Sequence, residues 1–133
     1  MTVQNSTAVR NAIAEAWETA MGTSVKARIY SGAMPASAAT ARSGTLLAEW
    51  ALAIDWSPTA TTGAKTLSSL PLATTGLAAG TAGYYSFMDS TGATCHEQGT
   101  VATSAADMLI DNASIAVGQT VQITAFTKTW PGA

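Results

Sequence analysis

Cysteine and histidine are almost missing from this chain: Cys95 and His96 are the only ones among its 133 residues. A lone cysteine excludes an internal disulfide and any multi-cysteine metal site. Charge is sparse as well, at 11% of residues with a net of −2, against roughly 25% in ordinary soluble domains. The six basic residues, Arg10, Lys26, Arg28, Arg42, Lys65 and Lys128, are scattered over the whole length. A nucleic-acid footprint needs them clustered, so no direct nucleic-acid partner is expected. Long apolar runs are missing too: none approaches a bilayer-spanning length, and the opening MTVQNSTAVR lacks a basic segment followed by an apolar one. The expectation is a protein made in the cytoplasm, not exported and without a membrane partner.

Small residues fill the chain instead. Twenty-eight Ala, 21 Thr, 12 Ser and 11 Gly make up more than half of it, yet 47% of residues are hydrophobic and four are Trp. Disorder goes with low hydrophobicity and high charge, so this chain should fold. Its length suits one domain over 1–133.

Residues 5–21, NSTAVRNAIAEAWETAM, carry a helical pattern. Val9, Ile13, Ala16, Trp17, Ala20 and Met21 recur at spacings of three and four, with Arg10, Asn11, Glu15 and Glu18 mostly opposite. The first set is expected to face the core. Asn5, Ser6 or Thr7 can cap the start, and Gly22 supplies the stop. From Ser24 the period changes to two. SVKARIYSG and TLLAEWALAIDW read as strands joined by a small-residue loop, and Pro71 restricts the middle segment to an edge or a bend. Asp89-Ser90-Thr91-Gly92 is turn chemistry between two strand-like runs, hence a hairpin. ADMLIDN and QTVQITAFTKTW complete the set, the latter alternating Val121, Ile123 and Ala125 against Gln122, Thr124 and Phe126.

One helix followed by seven or eight short strands predicts a mainly β fold: an antiparallel β-sandwich or jelly roll with one N-terminal α-helix. The strands are poor in the Lys and Glu that usually guard sheet edges. Something else should cover those edges, and assembly is the simplest candidate.

Chemistry has little to stand on. Cys95 and His96 are adjacent, so on a strand they point to opposite faces and form no dyad. Cys95 is expected as a small buried residue and His96 on the solvent or interface side. Asp107 and Asp111 lie too far apart on a strand for shared ligation, and Asp111-Asn112 with Ser114 reads as a turn. Asp89 and Glu97 read as turn and surface groups. The glycines of TTGLAAGTAGYY lack the residues of a phosphate loop. Trp50, Trp56, Tyr84, Tyr85 and Trp130 offer material for a sugar platform, but Trp17 and Trp50 fall on apolar faces, where bulky anchors fill a core rich in Ala. No catalytic, metal or cofactor residue is assigned, and the chain is not expected to be an enzyme.

The succession GTSVKARIYSGAMPASAATARSGTLLAEWALA, GTAGYYSFMDSTGATCHEQGTV and ADMLIDNASIAVGQTVQITAFT, over residues 22–128, resembles small structural proteins carried in the virion-morphogenesis regions of tailed bacteriophages and prophages. The stretch after Gly80 is the most specific part. The resemblance implies a virion component. A compact, nearly neutral β domain of this size then fits a capsid decoration or cement protein on the shell surface, its partners the major capsid protein and further copies of itself as dimers or trimers. The residues expected to touch partners are Thr2, Val3 and Gln4 at one end, and Trp130 and Pro131 at the other. Two alternatives are a tail, baseplate or head–tail connector component, and a carbohydrate-binding β-sandwich.

Overall fold

A computed structural model describes residues 3–132. Helix α1 (Thr7–Met21) starts where the Ser6 hydroxyl accepts the Val9 N–H and ends at Gly22, whose φ of 83° suits a residue without Cβ. Nine strands follow: β1 (Lys26–Ser31), β2 (Leu46–Ala51), β3 (Ala64–Thr66), β4 (Leu72–Thr75), β5 (Gly80–Met88), β6 (Cys95–Ala102), β7 (Met108–Ile110), β8 (Ser114–Ile115) and β9 (Thr120–Thr129). The fold is mainly β with one helix, as the sequence suggests.

The strands form one sheet in the order β2-β1-β5-β6-β7-β9-β3, with β4 also on β9 and β8 on the start of β5. The sheet curls until β2 meets β4. There the Leu77 N–H donates to Leu47 O, the Thr74 hydroxyl to Glu49 O and the Trp50 indole to Leu72 O. An outer edge that has few charged guards is thus covered by the molecule itself. The curl encloses Ala27, Ile29, Leu47, Trp50, Tyr85, Phe87, Val101, Met108, Val121, Ile123 and Phe126.

Three expectations need correction. The sheet is mixed and not wholly antiparallel, because β7 runs parallel to β6, pairing Val101 with Met108. Parallel neighbours usually need a long crossover. Here five residues suffice: β7 is three residues long, and Asp107 folds the loop back by taking the Thr100 N–H and hydroxyl on its carboxylate. The second correction is to β9, whose alternation breaks opposite Leu109–Ile110, so that Phe126 is buried in place of Ala125.

The third concerns α1: of the residues expected to face the core only Trp17 and Met21 do, and the helix is turned so that Val9, Ile13, Ala16 and Ala20 lie outside. Its buried or half-buried positions are Arg10, Asn11, Ala14, Glu15, Trp17, Glu18 and Met21, while Val9, Ala12, Ile13, Ala16 and Ala20 face outward. The reason lies in what the helix packs on. The segment from Pro58 to Lys65 presents backbone groups that need partners. Arg10 donates to Thr62 O, Asn11 accepts the Gly63 N–H at 2.7 Å, and Glu15 accepts the Ala60 N–H. Lys65, wholly buried, donates to Glu15, Glu18 and Pro58 O. Polar side chains therefore share the inner face with Ala14, Trp17 and Met21.

Candidate functional site

Two surfaces stand out. The first is the outer side of α1. Its exposed residues are Thr7, Ala8, Val9, Ala12, Ile13, Ala16, Thr19 and Ala20, and none is charged. Val9 and Ile13 are each more than 40% exposed. A monomer ordinarily places its charges on such a face. Here Arg10 and Glu18 are turned to the inner contacts, and Glu15, its side chain 42% exposed, stands at the border of the face.

The second surface lies between β6 and β9. Over its three residues β7 fills the space between them; beyond Met108 the two strands flank an open slot of about 250 Å³, lined by Tyr85, Glu97, Gln98, Asp107 and Thr127–Thr129 among others. Glu97 and Lys128 form an ion pair inside the slot. The Lys128 ammonium also lies 5.5 Å from the Trp17 ring centroid and 5.6 Å from that of Trp130. Burial pushes the Glu97 carboxyl above its ordinary value, against the pull of Lys128 and of the nearby Trp17 indole N–H. Glu97 is thus not the surface group its sequence position suggests.

Tyr85 stands under the slot. It is 3% exposed, and its hydroxyl makes no hydrogen bond among the described residues, whereas those of Tyr30 and Tyr84 are bonded. Burial, and then the Glu97 and Asp107 carboxylates, raise its pKa, which keeps the hydroxyl neutral. The ring lies across Gly99, where a Cβ would come within 2.5 Å of it. Only glycine on β6 leaves the ring that space. No periodicity points to Tyr85 as a polar group, because it occupies a core position.

The outer face of β5 is covered differently. The loop between β1 and β2 lies on it, held by Arg42, which donates to Ser86 Oγ, Gln98 Oε1 and the carbonyls of Ser37, Ala38 and Thr40. Tyr84, also beneath the loop, bonds Ser43 and stacks on Tyr30 with ring centroids 5.3 Å apart. A loop of small residues can lie this close to the sheet; at Gly83 a Cβ would meet Gly32 O at 2.0 Å.

The residues expected to touch partners fall at one end of the molecule. Val3, 75% exposed, and Gln4 precede Asn5, whose N–H donates to Gly132 O. Pro131 is exposed, while Trp130 is half-buried, its ring 5.6 Å from that of Trp17 and its N–H on Gly63 O. Thr2 lies outside the described residues. His96 is exposed and Cys95 half-buried. The aromatics proposed for a sugar platform are mostly inside: Trp50, Trp56, Tyr84 and Tyr85 are all buried. Among the described residues no group of three His, Cys, Asp or Glu side chains is arranged to hold a metal, and no helix is long and apolar enough to cross a membrane.

Comparison with known protein families, curated proteins and solved structures finds no match to this chain. Its function has to be argued from the surfaces just described.

Proposed function

We propose that this chain is a structural protein of a tailed-phage virion, and within it a capsid decoration or cement protein that bridges neighbouring major capsid subunits. The observation that carries the reading is the outer face of α1, whose exposed residues are Ala, Val, Ile and Thr, with Arg10 and Glu18 turned inward and Glu15 at its border. Such a face gains by being covered, through burial of apolar area and not through ion pairing. The exposed Val3, Gln4 and Pro131, gathered at one end by the Asn5–Gly132 bond, add contacts of the same uncharged kind. Many weak contacts of this sort, repeated over a shell, act together. The likeness of residues 22–128 to small phage structural proteins supplies the virion context. On this reading the protein works as a dimer or trimer on the capsid surface. The curled sheet is then a flattened sandwich of jelly-roll kind, with β2-β1-β5-β6 as one leaf and β7-β9 with β3 and β4 as the other.

The test is binding of the purified protein to shells that lack it, read by co-sedimentation and by the shell's resistance to heat. Binding to the assembled shell and not to dispersed subunits shifts the equilibrium toward the shell, so heat resistance should rise. With little Coulombic attraction to screen, attachment should survive raised salt. Ile13→Lys should weaken it. Attachment that is lost in salt, or that ignores Ile13→Lys, contradicts the reading.

A further inference from the structure

The outer face of α1 is arranged to meet a copy of itself. Its bulky residues, Val9 and Ile13, share the face with Ala12, Ala16 and Ala20, all of them exposed. If one such helix is turned end for end against another, about a two-fold axis beside Ala12 and Ile13, Val9 of each copy falls opposite Ala16 of the other. A parallel pair would set Val9 against Val9 and Ala16 against Ala16, with a gap between the alanines. The two ends of the helix also differ in charge, in the sense that the reversed arrangement needs. At the start, the first turn holds no acidic residue. Ser6 accepts the N–H groups of Val9 and Arg10, while those of Thr7 and Ala8 have no acceptor among the described residues, so this end is positive. At the finish, the last turn holds no basic residue, and a cavity of about 420 Å³ opens beside Thr19 and Gly22, walled by Glu15, Glu18, Ile54 and Asp55 among others. Lys65 is bonded to Glu15 and Glu18, which leaves three carboxylates against one ammonium and the cavity negative.

We infer that α1 pairs, antiparallel and about a two-fold axis, with α1 of a second copy of this chain. Shape and charge together select that occupant. Each bulky side chain meets an alanine of the other copy, so the helices approach closely. The positive first turn of one copy lies along Thr19 and over the negative cavity of the other, and the two-fold repeats that contact at the far end. Ile54, 74% exposed on the cavity wall, extends the apolar contact past the end of the helix. At 1.5 Å per residue α1 is about 22 Å long, and a strip of that length presents less than the roughly 800 Å² per partner of a standard interface, so the pair is weak in solution. It tightens where neighbouring copies are held on one shell, and a pair grips the shell through both copies, which is how α1 serves attachment. The inference rests on the reading of the chain as a shell protein, and it specifies the contact that joins its copies.

The experiment uses the full chain with Cys95→Ser, so that a cysteine placed on α1 has no other thiol to pair with in its own chain. Copies carrying Val9→Cys are mixed with copies carrying Ala16→Cys, and disulfide formation under mild oxidation is compared with that of each variant alone, both free at micromolar to millimolar concentration and on shells. The mixed copies should link about tenfold faster than like copies, because only unlike positions are held together. In sedimentation, Ile13→Lys should weaken self-association about tenfold. It should leave the melting temperature of the dilute protein unchanged, since Ile13 is exposed in the monomer. Like copies that link as fast as unlike ones overturn the inference, as does a chain that stays monomeric in solution and unlinked on shells. If Ile13→Lys still weakens shell binding in that case, α1 sits on the capsid subunit: the pairing fails and the shell reading stands. If the mixed copies link as expected and the protein binds no shell, the pairing stands and the shell reading fails.

Discussion

Lys65 shows how a single residue holds α1 on the sheet. Its ammonium is wholly buried, 3.1 Å from Glu15 and 2.5 Å from Glu18, with a third bond to Pro58 O. Removing a buried charge from such a set leaves its partners facing each other unpaired. Lys65→Met is expected to cost about 3 kcal/mol in denaturant unfolding, the low end for a buried pair, because Glu15 is partly hydrated. Asp89 shows the other kind of residue effect. The Thr91 hydroxyl, and then the N–H groups of Ala93, Thr94 and Gly92, hold its carboxyl down at about 2, against 3.8 ordinarily. A carboxyl depressed by folding stabilises the fold above its ordinary value, and that contribution fades as pH falls through the folded one. The stability gap between the wild type and Asp89→Ala should therefore be full above pH 3.8 and close as pH approaches about 2. A gap that does not change with pH would assign the effect to turn geometry alone.

At the scale of elements, α1 teaches most about what a sequence discloses. Its span, its Ser6 cap and its Gly22 stop follow from capping chemistry and are legible from residues 5–22 alone. Which side faces in is not legible there. Periodicity ranks the apolar side first, but the decision rests with the backbone groups of residues 58–65, more than forty positions away, which need Arg10, Asn11 and Glu15 as partners. The orientation has a direct check. Ala14 is wholly buried, so Ala14→Leu should overpack the contact and cost about 2 kcal/mol. Ile13 is 41% exposed, so Ile13→Ser should stay within about 0.5 kcal/mol of the wild type. The reverse order would restore the periodicity-based orientation. The hairpin β5–β6 was readable for the same local reason as the cap, since Asp89–Gly92 specifies its own turn. The parallel β7 was not, because Asp107 reaching Thr100 is a contact across a loop that no period encodes.

For the whole molecule, the mainly β class and the single helix were available from the change of period at Ser24. The curl was not, since it depends on Leu77, Thr74 and Trp50 closing β4 against β2. That closure bears on function. The scarcity of charged edge residues suggests assembly along the sheet, whereas the curl covers the edge at β2 and leaves the uncharged residues of α1 exposed. Neither the slot nor its Glu97–Lys128 pair was found from the sequence, because β6 and β9 are far apart in the chain and meet only through a strand of three residues. The account's central claim is that this surface serves attachment to a phage head. Mass spectrometry of purified virions separated into heads and tails tests it most directly. The account predicts the chain in the head fraction, in many copies and open to protease from outside; its recovery only with tails, or with neither fraction, would contradict it.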